Sequence, residues 1–278
     1  MTGFCHAVFR KNFEIVELLL QDPRIDVNTT DNNGDLTPFH WACENGYLRN
    51  IQAFIKHAKT RHIEVNARDE NGQTPFMFAC SNGYDMAVYL MLENIETLGI
   101  DVNAQDNRGR TALIWATIRN APRCVDLLLN NYEKLNIDPN HVDENGMSAL
   151  MYACKDKEVY ALNCFLRMAK FLKLDFGLKD HKFNRTAYIW ACIHAKKMDA
   201  FHDEFEFFAK YYKEMKIDLK HRDYKGRTGA DYVEFAQQSG KYFGRTKRAK
   251  AMDPIMAKKV TAYWHGEFED PFEVGSDD

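Results

Sequence analysis

The sequence has no apolar run that approaches the roughly 18 residues of a membrane-spanning helix, so we expect no insertion in a membrane. It also lacks an excess of charge of one sign. Its 37 Lys and Arg stand against 40 Asp and Glu, and this balance gives no global attraction to nucleic acid. The first residues lack the charged and then apolar pattern of a secretory signal, which predicts an intracellular protein in the cytoplasm.

Recognisable catalytic sequences are missing as well. The chain contains no His-Glu-x-x-His, Gly-x-Ser-x-Gly or Gly-x-x-x-x-Gly-Lys sequence, and its ten His are scattered. Its seven cysteines include no Cys-x-x-Cys pair, and we expect neither disulfides nor a metal site from them. We therefore predict a protein that is not an enzyme and that needs no metal, cofactor or small-molecule substrate.

What the sequence does contain is a repeat. The segments Gly72-Gln73-Thr74-Pro75-Phe76 and Gly109-Arg110-Thr111-Ala112-Leu113 match each other, and four further copies keep their hydroxyl residue at a nearly constant step of 37, 38 or 42 residues. The six hydroxyl residues are Thr37, Thr74, Thr111, Ser148, Thr186 and Thr228. A constant step of this size indicates a stacked array of one supersecondary element.

One copy shows how each repeat is expected to fold. The turn Asp69–Gly72 precedes Thr74, which is placed to cap a short helix, and Pro75 suits its first position. A tight loop at Gly83 then leads to a second helix, which ends at Gly99 before an extended return over 100–103. Four cysteines lie six residues after the hydroxyl residue, which predicts that they are buried in the core. These are Cys43, Cys80, Cys154 and Cys192.

The run from Thr37 to Cys43, followed by Asn45-Gly46-Tyr47, resembles the ankyrin repeat signature. The resemblance covers about residues 2 to 236 and implies an all-α, ankyrin-type helical solenoid of helix-turn-helix repeats with β-turn fingers. The tetratricopeptide pattern, which has a similar period, is absent. The resemblance also implies that His40 bonds to the turn backbone. Five further histidines lie on predicted outer helices or turns, where we expect them to be solvated: His57, His62, His181, His202 and His221.

The organisation that follows is a repeat domain over 1–240 and a C-terminal extension over 241–278 that is first basic and then acidic. The step of 37 exceeds the roughly 33 residues of the family by about one helical turn. The surplus lies after the second helix, which predicts longer outer helices. The predicted repeats lie near 1–28, 29–66, 67–103, 104–140, 141–177 and 178–220, with a capping segment over 221–240.

An aromatic residue occupies the fifth position of each hydroxyl-led run, on the helix side opposite the core. We expect these residues to form a ladder along a concave groove, where exposed rings would bind a partner; packing of the rings within the stack is the alternative. On the first interpretation, replacing Trp115 and Trp190 by Ala abolishes binding without changing the melting temperature. The ladder comprises Trp41, Phe78, Trp115, Tyr152, Trp190 and Tyr232.

The turn tips form a second candidate surface, because the resemblance implies partner contacts there; a solvated loop is the alternative for each tip. The resemblance also implies that four asparagines which end the extended returns are candidates for asparaginyl hydroxylation, against a simple role in turns. The tip candidates are Asp31, Asn33, Glu70, Arg108, Glu144, Lys182 and Tyr224. The hydroxylation candidates are Asn28, Asn66, Asn103 and Asn140.

These observations predict a non-catalytic protein-protein interaction module: a scaffold, adaptor or inhibitor that binds another protein along the groove and the turn tips, as a monomer. One alternative is a regulatory or effector-like portion of a longer catalytic or ubiquitin-ligase-adaptor chain. Another is a nucleic-acid-associated regulator that uses the basic part of the extension, which would also fit a nuclear location.

Overall fold

The computed structural model describes residues 2–31, 35–155, 160–195, 208 and 213–232. These residues form helices and turns without strands, and none of their helices is long and apolar enough to cross a membrane. The chain divides into two compact units, Met1–Glu144 and Asn145–Asp278. The predicted repeat boundaries stay a prediction, and the predicted extension 241–278 lies outside the described residues.

The first unit consists of helix pairs that repeat along the chain. Each pair has a short inner helix and an outer helix. The inner helix directly follows a hydroxyl residue, which is Thr2 in the first pair and the repeated residue in the others. The inner helices are α1 (Gly3–Phe9), α3 (Pro38–Glu44), α5 (Pro75–Ser81) and α8 (Ala112–Ile118). The outer helices are α2 (Phe13–Gln21), α4 (Leu48–Arg61), α6 (Asp85–Glu93) and α9 (Pro122–Asn130), with the single turn α7 (Ile95–Leu98) after α6.

Stacking in this unit follows the order of the chain. Each inner helix contacts the next inner helix, each outer helix contacts the next outer helix, and the two helices of a pair contact each other. The second unit has the inner helices α10 (Ala149–Lys155) and α12 (Ala187–Ala195), which contact each other, and the outer helix α11 (Tyr160–Leu172), which contacts α10. The described part therefore has the stacked repeats that the period predicts and the all-α fold that the family resemblance implies.

The six repeated hydroxyl residues cap inner helices, as predicted. Thr74 Oγ1 accepts the amide N–H of Met77 at 3.4 Å, and Thr228 Oγ1 accepts that of Asp231 at 3.3 Å. The corresponding bonds in the other four copies have the same three-residue spacing and lengths of 3.3–3.4 Å. Each bond satisfies one of the amides left free at a helix start.

The core lies between the two helix layers and contains the repeated cysteines. Cys43, Cys80, Cys154 and Cys192 are fully buried, and none of the seven cysteines, all of which lie in the described residues, forms a disulfide. Burial raises the pKa of the Cys80 and Cys192 thiols. Since a buried thiol stays protonated and is inaccessible, these residues act as small apolar side chains.

The prediction of longer outer helices is correct for α4 and α11, which have 14 and 13 residues, but wrong for α6 and α9, which have nine. The residues that cap the C-terminal ends of the two short helices are Asn94 and Asn131, twenty residues after the hydroxyl residue of their repeats. Each asparagine side chain donates to the carbonyl four residues earlier, at 2.9 and 2.8 Å. Such bonds compete with helix continuation, so the surplus residues form turns in these repeats.

The fingers between repeats are tight turns closed by backbone hydrogen bonds. In one of them, Asp69 N–H donates to Gln73 O at 3.0 Å, and Gly72 adopts φ +76°. A Cβ atom at Gly72 would lie 2.8 Å from the backbone nitrogen of Asn107 in the next finger, so the close approach of the fingers also requires glycine. The fifth finger is one residue longer, and Asn184 takes the positive φ of 52° there.

Candidate functional site

The six aromatic residues lie on the inner helices next to the fingers, but the predicted exposure holds for only part of the set. Trp41, Phe78 and Trp115 of the first unit are half-buried, as is Tyr152 of the second. Trp190 and Tyr232 are only 5% and 6% exposed. For Trp190 and Tyr232 the burial therefore favours the alternative of rings packed within the stack over open rings, and the expected effect of replacing Trp190 by Ala stays a prediction.

The tryptophans are held by aspartates of their own fingers. The indole Nε1–H of Trp41 donates to Asp31, that of Trp115 to Asp106, and that of Trp190 to Asp180, each at 3.1 Å. In the last repeat the hydroxyl group of Tyr232 donates to Asp223 at 2.5 Å. The helix thereby fixes the finger that precedes it, since donor and acceptor are nine or ten residues apart in the chain.

The aspartates themselves are buried and organise the turns. Asp31 is 1% exposed and accepts the amide of Leu36 at 3.2 Å. Asp106 accepts the amides of Arg108 and Arg110 at 2.8 and 2.9 Å. The expectation that Asp31 contacts a partner from a turn tip is wrong, because its carboxylate points inward to satisfy the backbone and the indole.

An arginine directly before the hydroxyl residue completes three of these sites. The Arg110 guanidinium lies 3.9 Å above the Trp115 ring and bonds to Asp106 at 2.8 Å. Here the charge of the buried carboxylate is paired and its oxygens are hydrogen-bonded, which offsets the cost of burying it. The stacked guanidinium also covers one face of the half-buried indole.

The same arrangement in the second unit links two fingers. Arg185 Nη2 donates to Tyr232 Oη at 2.9 Å, and its Nε lies 3.5 Å from Asp223. Burial raises the pKa of Asp223, but hydrogen bonds from Tyr232 and from the amides of Arg227 and Lys225 outweigh it and leave that pKa lowered. Burial, followed by the bond to the carboxylate, raises the pKa of Tyr232. These residues form a structural cluster around one ionised carboxylate.

The sequence analysis did not predict these contacts between aspartate, arginine and aromatic residues, and it did not identify Phe9 as part of the aromatic surface. Phe9, at the end of α1, is 44% exposed and packs edge-on against Trp41 with ring centroids 5.5 Å apart. The missed sequence signal is the fixed combination of an aspartate, an arginine before the hydroxyl residue and an aromatic residue four positions after it. That combination occurs with Arg110, Arg185 and Arg227.

Apart from buried Asp31, the candidate turn-tip residues that the structure describes are exposed to solvent. They are Glu70, Arg108, Glu144, Lys182 and Tyr224. Asn33 lies outside the described residues. Successive tips are joined by backbone hydrogen bonds, from Asn107 N–H to Asn71 O at 2.9 Å and from Tyr224 N–H to Phe183 O at 2.9 Å. The tips therefore present their side chains from a spaced and mutually bonded set of turns.

The asparagines of the extended returns have a structural role between repeats. Asn66 accepts the amide of Asp101 at 2.9 Å and donates to Gly99 O at 2.7 Å. Asn28 makes the same pair of bonds to Glu64 and His62, at 2.9 and 3.0 Å. Asn103 likewise donates to Leu135 O at 3.0 Å. Hydroxylation of these residues and of Asn140 stays a prediction.

The histidines of the described residues, which do not include His202, do not converge on a reactive centre. His40 bonds to Thr37 and, through Nε2, to Gln73 O at 3.1 Å, as predicted, and burial lowers its pKa. The expectation that His57 is solvated is wrong, because its imidazole lies 3.1 Å from Glu17 between α2 and α4 with its side chain mostly buried. Within the described ranges, no group of three or more His, Cys, Asp or Glu residues is arranged to hold a metal ion.

The helix pairs, capped inner helices and bonded fingers define a helical repeat protein. The family model for ankyrin repeats matches residues 4–106 and 92–167, in three copies, and the chain belongs to the ankyrin repeat family. Among solved structures it is similar to the ankyrin repeat domain of Bcl-3, described as a unique member of the IkappaB protein family. The TM-score is 0.63 at 18% identity, over 85% of this chain and 98% of that one.

At this identity the likeness shows the fold alone. No curated protein matches the chain. The family and the fold are those of protein-interaction modules, and the choice of partner depends on the surface side chains of this chain.

Proposed function

We propose that this protein is a non-catalytic scaffold, adaptor or inhibitor in the cytoplasm that binds a partner protein along the finger side of its inner helices. The observation that carries the proposal is the set of half-buried rings beside exposed turn tips in the first unit. Trp41, Phe78 and Trp115 are fixed in place but keep part of their surface accessible. Ordered aromatic residues lose little conformational entropy on binding, which favours them as interaction hot spots.

Phe78 is the best probe of this surface. Unlike Trp115, it makes no bond to a finger aspartate, so truncating it does not leave a buried carboxylate without a donor. Arg108 lies at the tip of the next finger and is 65% exposed in its side chain. A loss of partner affinity on changing these two residues can therefore be separated from a loss of folding.

The test is a comparison of two double variants. Tagged wild-type protein is used to capture and identify a partner from native extract, and the purified partner is then titrated calorimetrically. We expect F78A/R108A to lose about 2 kcal/mol of binding free energy, roughly 30-fold in Kd.

M86A/Y89A is the matched control, because Met86 and Tyr89 are exposed on the outer helix of the same repeat, at 58% and 47%. This variant should retain wild-type affinity, and circular dichroism should show that both variants are folded. Equal affinities for wild type and F78A/R108A, or a loss confined to M86A/Y89A, would place the binding surface elsewhere.

A further inference from the structure

The fifth and sixth fingers differ from the earlier ones in charge. Within 179–185 and 222–227 the chain has six Lys and Arg residues and only two carboxylates, Asp180 and Asp223. Both carboxylates are buried, at 4% and 5% exposure. The corresponding fingers of the first unit contain Glu70, Glu144 and Asp35, and among them only the 105–110 finger has an excess of cations.

The two carboxylates do not neutralise the surface cations. Asp223 is paired with Arg185 and Arg227, each at 3.5 Å, and Asp180 accepts the Trp190 indole and finger amides. Four further cations are exposed, and none of them forms an ion pair with a carboxylate in the part of the chain that the structure describes. These cations, which we call the finger cations, are Lys179, Lys182, Arg222 and Lys225.

The finger cations are interspersed with aromatic surface. Tyr224 is 54% exposed, and its ring centroid lies 5.5 Å from that of half-buried Phe183 in the neighbouring finger. Lys182 Nζ lies 5.1 Å from the Phe183 ring centroid and Lys225 Nζ lies 5.3 Å from that of Tyr224. The backbone bond from Tyr224 to Phe183 and the Arg185–Tyr232 bond hold the two fingers in register.

We propose that the finger cations with Phe183 and Tyr224 bind an acidic, aromatic-containing peptide segment of a partner protein. This inference rests on the proposed function and adds the chemistry of the segment. Carboxylates would pair with the finger cations, and an aromatic side chain would pack on the Tyr224–Phe183 pair. An ordered, charge-complementary surface of this kind gains specificity and association rate more than raw affinity.

A peptide fits this surface better than a nucleic acid. Single-stranded nucleic acid binds by stacking successive bases on aromatic rings along a basic groove. Of the two rings Phe183 and Tyr224, only that of Tyr224 is mostly exposed, so successive bases would have one open ring to stack on. The whole chain also has a formal net charge of −3. Tighter binding of nucleic acid than of the acidic peptide would therefore contradict the proposal.

The test uses the full chain and fluorescence anisotropy at low salt, where exposed charge pairs are least screened. The probe is a fluorescein-labelled dodecapeptide of Glu-Glu-Phe repeats, and the same peptide with Gln for Glu is its control. We expect saturable binding of the acidic probe only, with K182E/K225E weakening it at least about tenfold. K59E/K134E, which changes net charge equally at exposed residues of the first unit, should leave binding unchanged.

Three results would overturn the proposal. The first is the absence of saturation up to about 1 mM protein, a range that includes weak complexes. The second is an oligothymidylate that binds more tightly than the acidic probe and responds to K182E/K225E. The third is a gain of at least about tenfold in probe affinity for E267Q/E269Q/E273Q, since the fingers would then serve acidic residues of this chain itself.

Failure here is distinguishable from failure of the proposed function. The variant F78A/R108A tests the first unit with a captured partner, whereas K182E/K225E tests the second unit with a synthetic probe. Loss of partner binding in the first variant, together with no binding of the acidic probe, would keep the interaction module and reject the acidic segment.

Discussion

Replacing Trp115 by Phe removes one hydrogen bond and keeps an aromatic ring in the same place. The acceptor, Asp106, has a fully buried side chain. It receives the amides of Arg108 and Arg110 at 2.8 and 2.9 Å, the Arg110 guanidinium at 2.8 Å and the Trp115 indole at 3.1 Å. The substitution therefore isolates the bond that ties the helix to its finger.

The expected cost comes mainly from the carboxylate. A hydrogen bond to a charged group contributes about 1.5–3 kcal/mol to stability. Because the Asp106 oxygen is buried, water cannot take the place of the lost indole donor. The smaller ring of Phe adds less than about 1 kcal/mol, because the Trp115 side chain is only half-buried. We expect W115F to lower the free energy of unfolding by about 2 kcal/mol in total.

Urea unfolding followed by circular dichroism is a suitable assay. With a slope of about 1–3 kcal/mol per molar urea, the expected loss moves the midpoint by about 1 M.

The repeat that precedes the one with Trp115 allows the opposite substitution, because Phe78 occupies the equivalent position and Asp69 has no indole donor. F78W should gain about 1 kcal/mol by donating to Asp69. A change of less than about 0.5 kcal/mol in W115F would refute the reasoning, because surface substitutions commonly have effects of that size.

Three further predictions concern bonds between repeats, acid sensitivity and finger packing. N66A should lower the free energy of unfolding by about 1–2 kcal/mol in urea titrations, because it removes bonds to Gly99 O and Asp101 N; an unchanged midpoint would show that water replaces them. Hydrogen bonds from Lys56 and then His57 lower the pKa of Glu17 from 4.5 to about 2, so its ionised form stabilises the fold above pH 4.5, and this contribution is lost as pH falls to about 2. E17Q should therefore be less stable than wild type at pH 6 and equally stable near pH 2; a difference that persists at pH 2 would contradict this origin. G146A should destabilise more than G99A, because both have positive φ but only the Cβ at 146 meets its neighbours, 2.6 Å from His181 and 2.9 Å from Lys179 O; equal midpoints would contradict it.

Local interactions were the part of the fold that could be predicted from the sequence. The hydroxyl caps are correct in every copy because the bond joins residues three apart, so the segment itself contains donor and acceptor. The burial of Cys80 and its equivalents follows from their constant position in a periodic stack. The lengths of α6 and α9 could also have been predicted, since Asn94 and Asn131 occupy the same repeat position.

The candidate site was predictable in position but not in exposure. The sequence places Trp41, Trp190 and the other rings at one point of each inner helix. Whether a ring is open depends on all the side chains that pack against it. Trp115 stays half-buried under Arg110, whereas Trp190 is in contact with Phe183 as well as Arg185. The exposure of Asp31 at a turn tip was likewise not predictable from the sequence. Its carboxylate accepts a buried amide in the folded finger and therefore cannot also face a partner.

The sequence by itself therefore determined the repeat, the caps, the cysteine core and the family of this protein, because these depend on periodicity and on contacts a few residues apart. Only the tertiary structure decided that Trp190 and Tyr232 are buried around Asp180 and Asp223, while Lys182, Lys225 and Tyr224 remain exposed. Fingers spaced about 40 residues apart in the chain meet through Arg185, and no local pattern specifies which of its partners will lie within hydrogen-bonding distance.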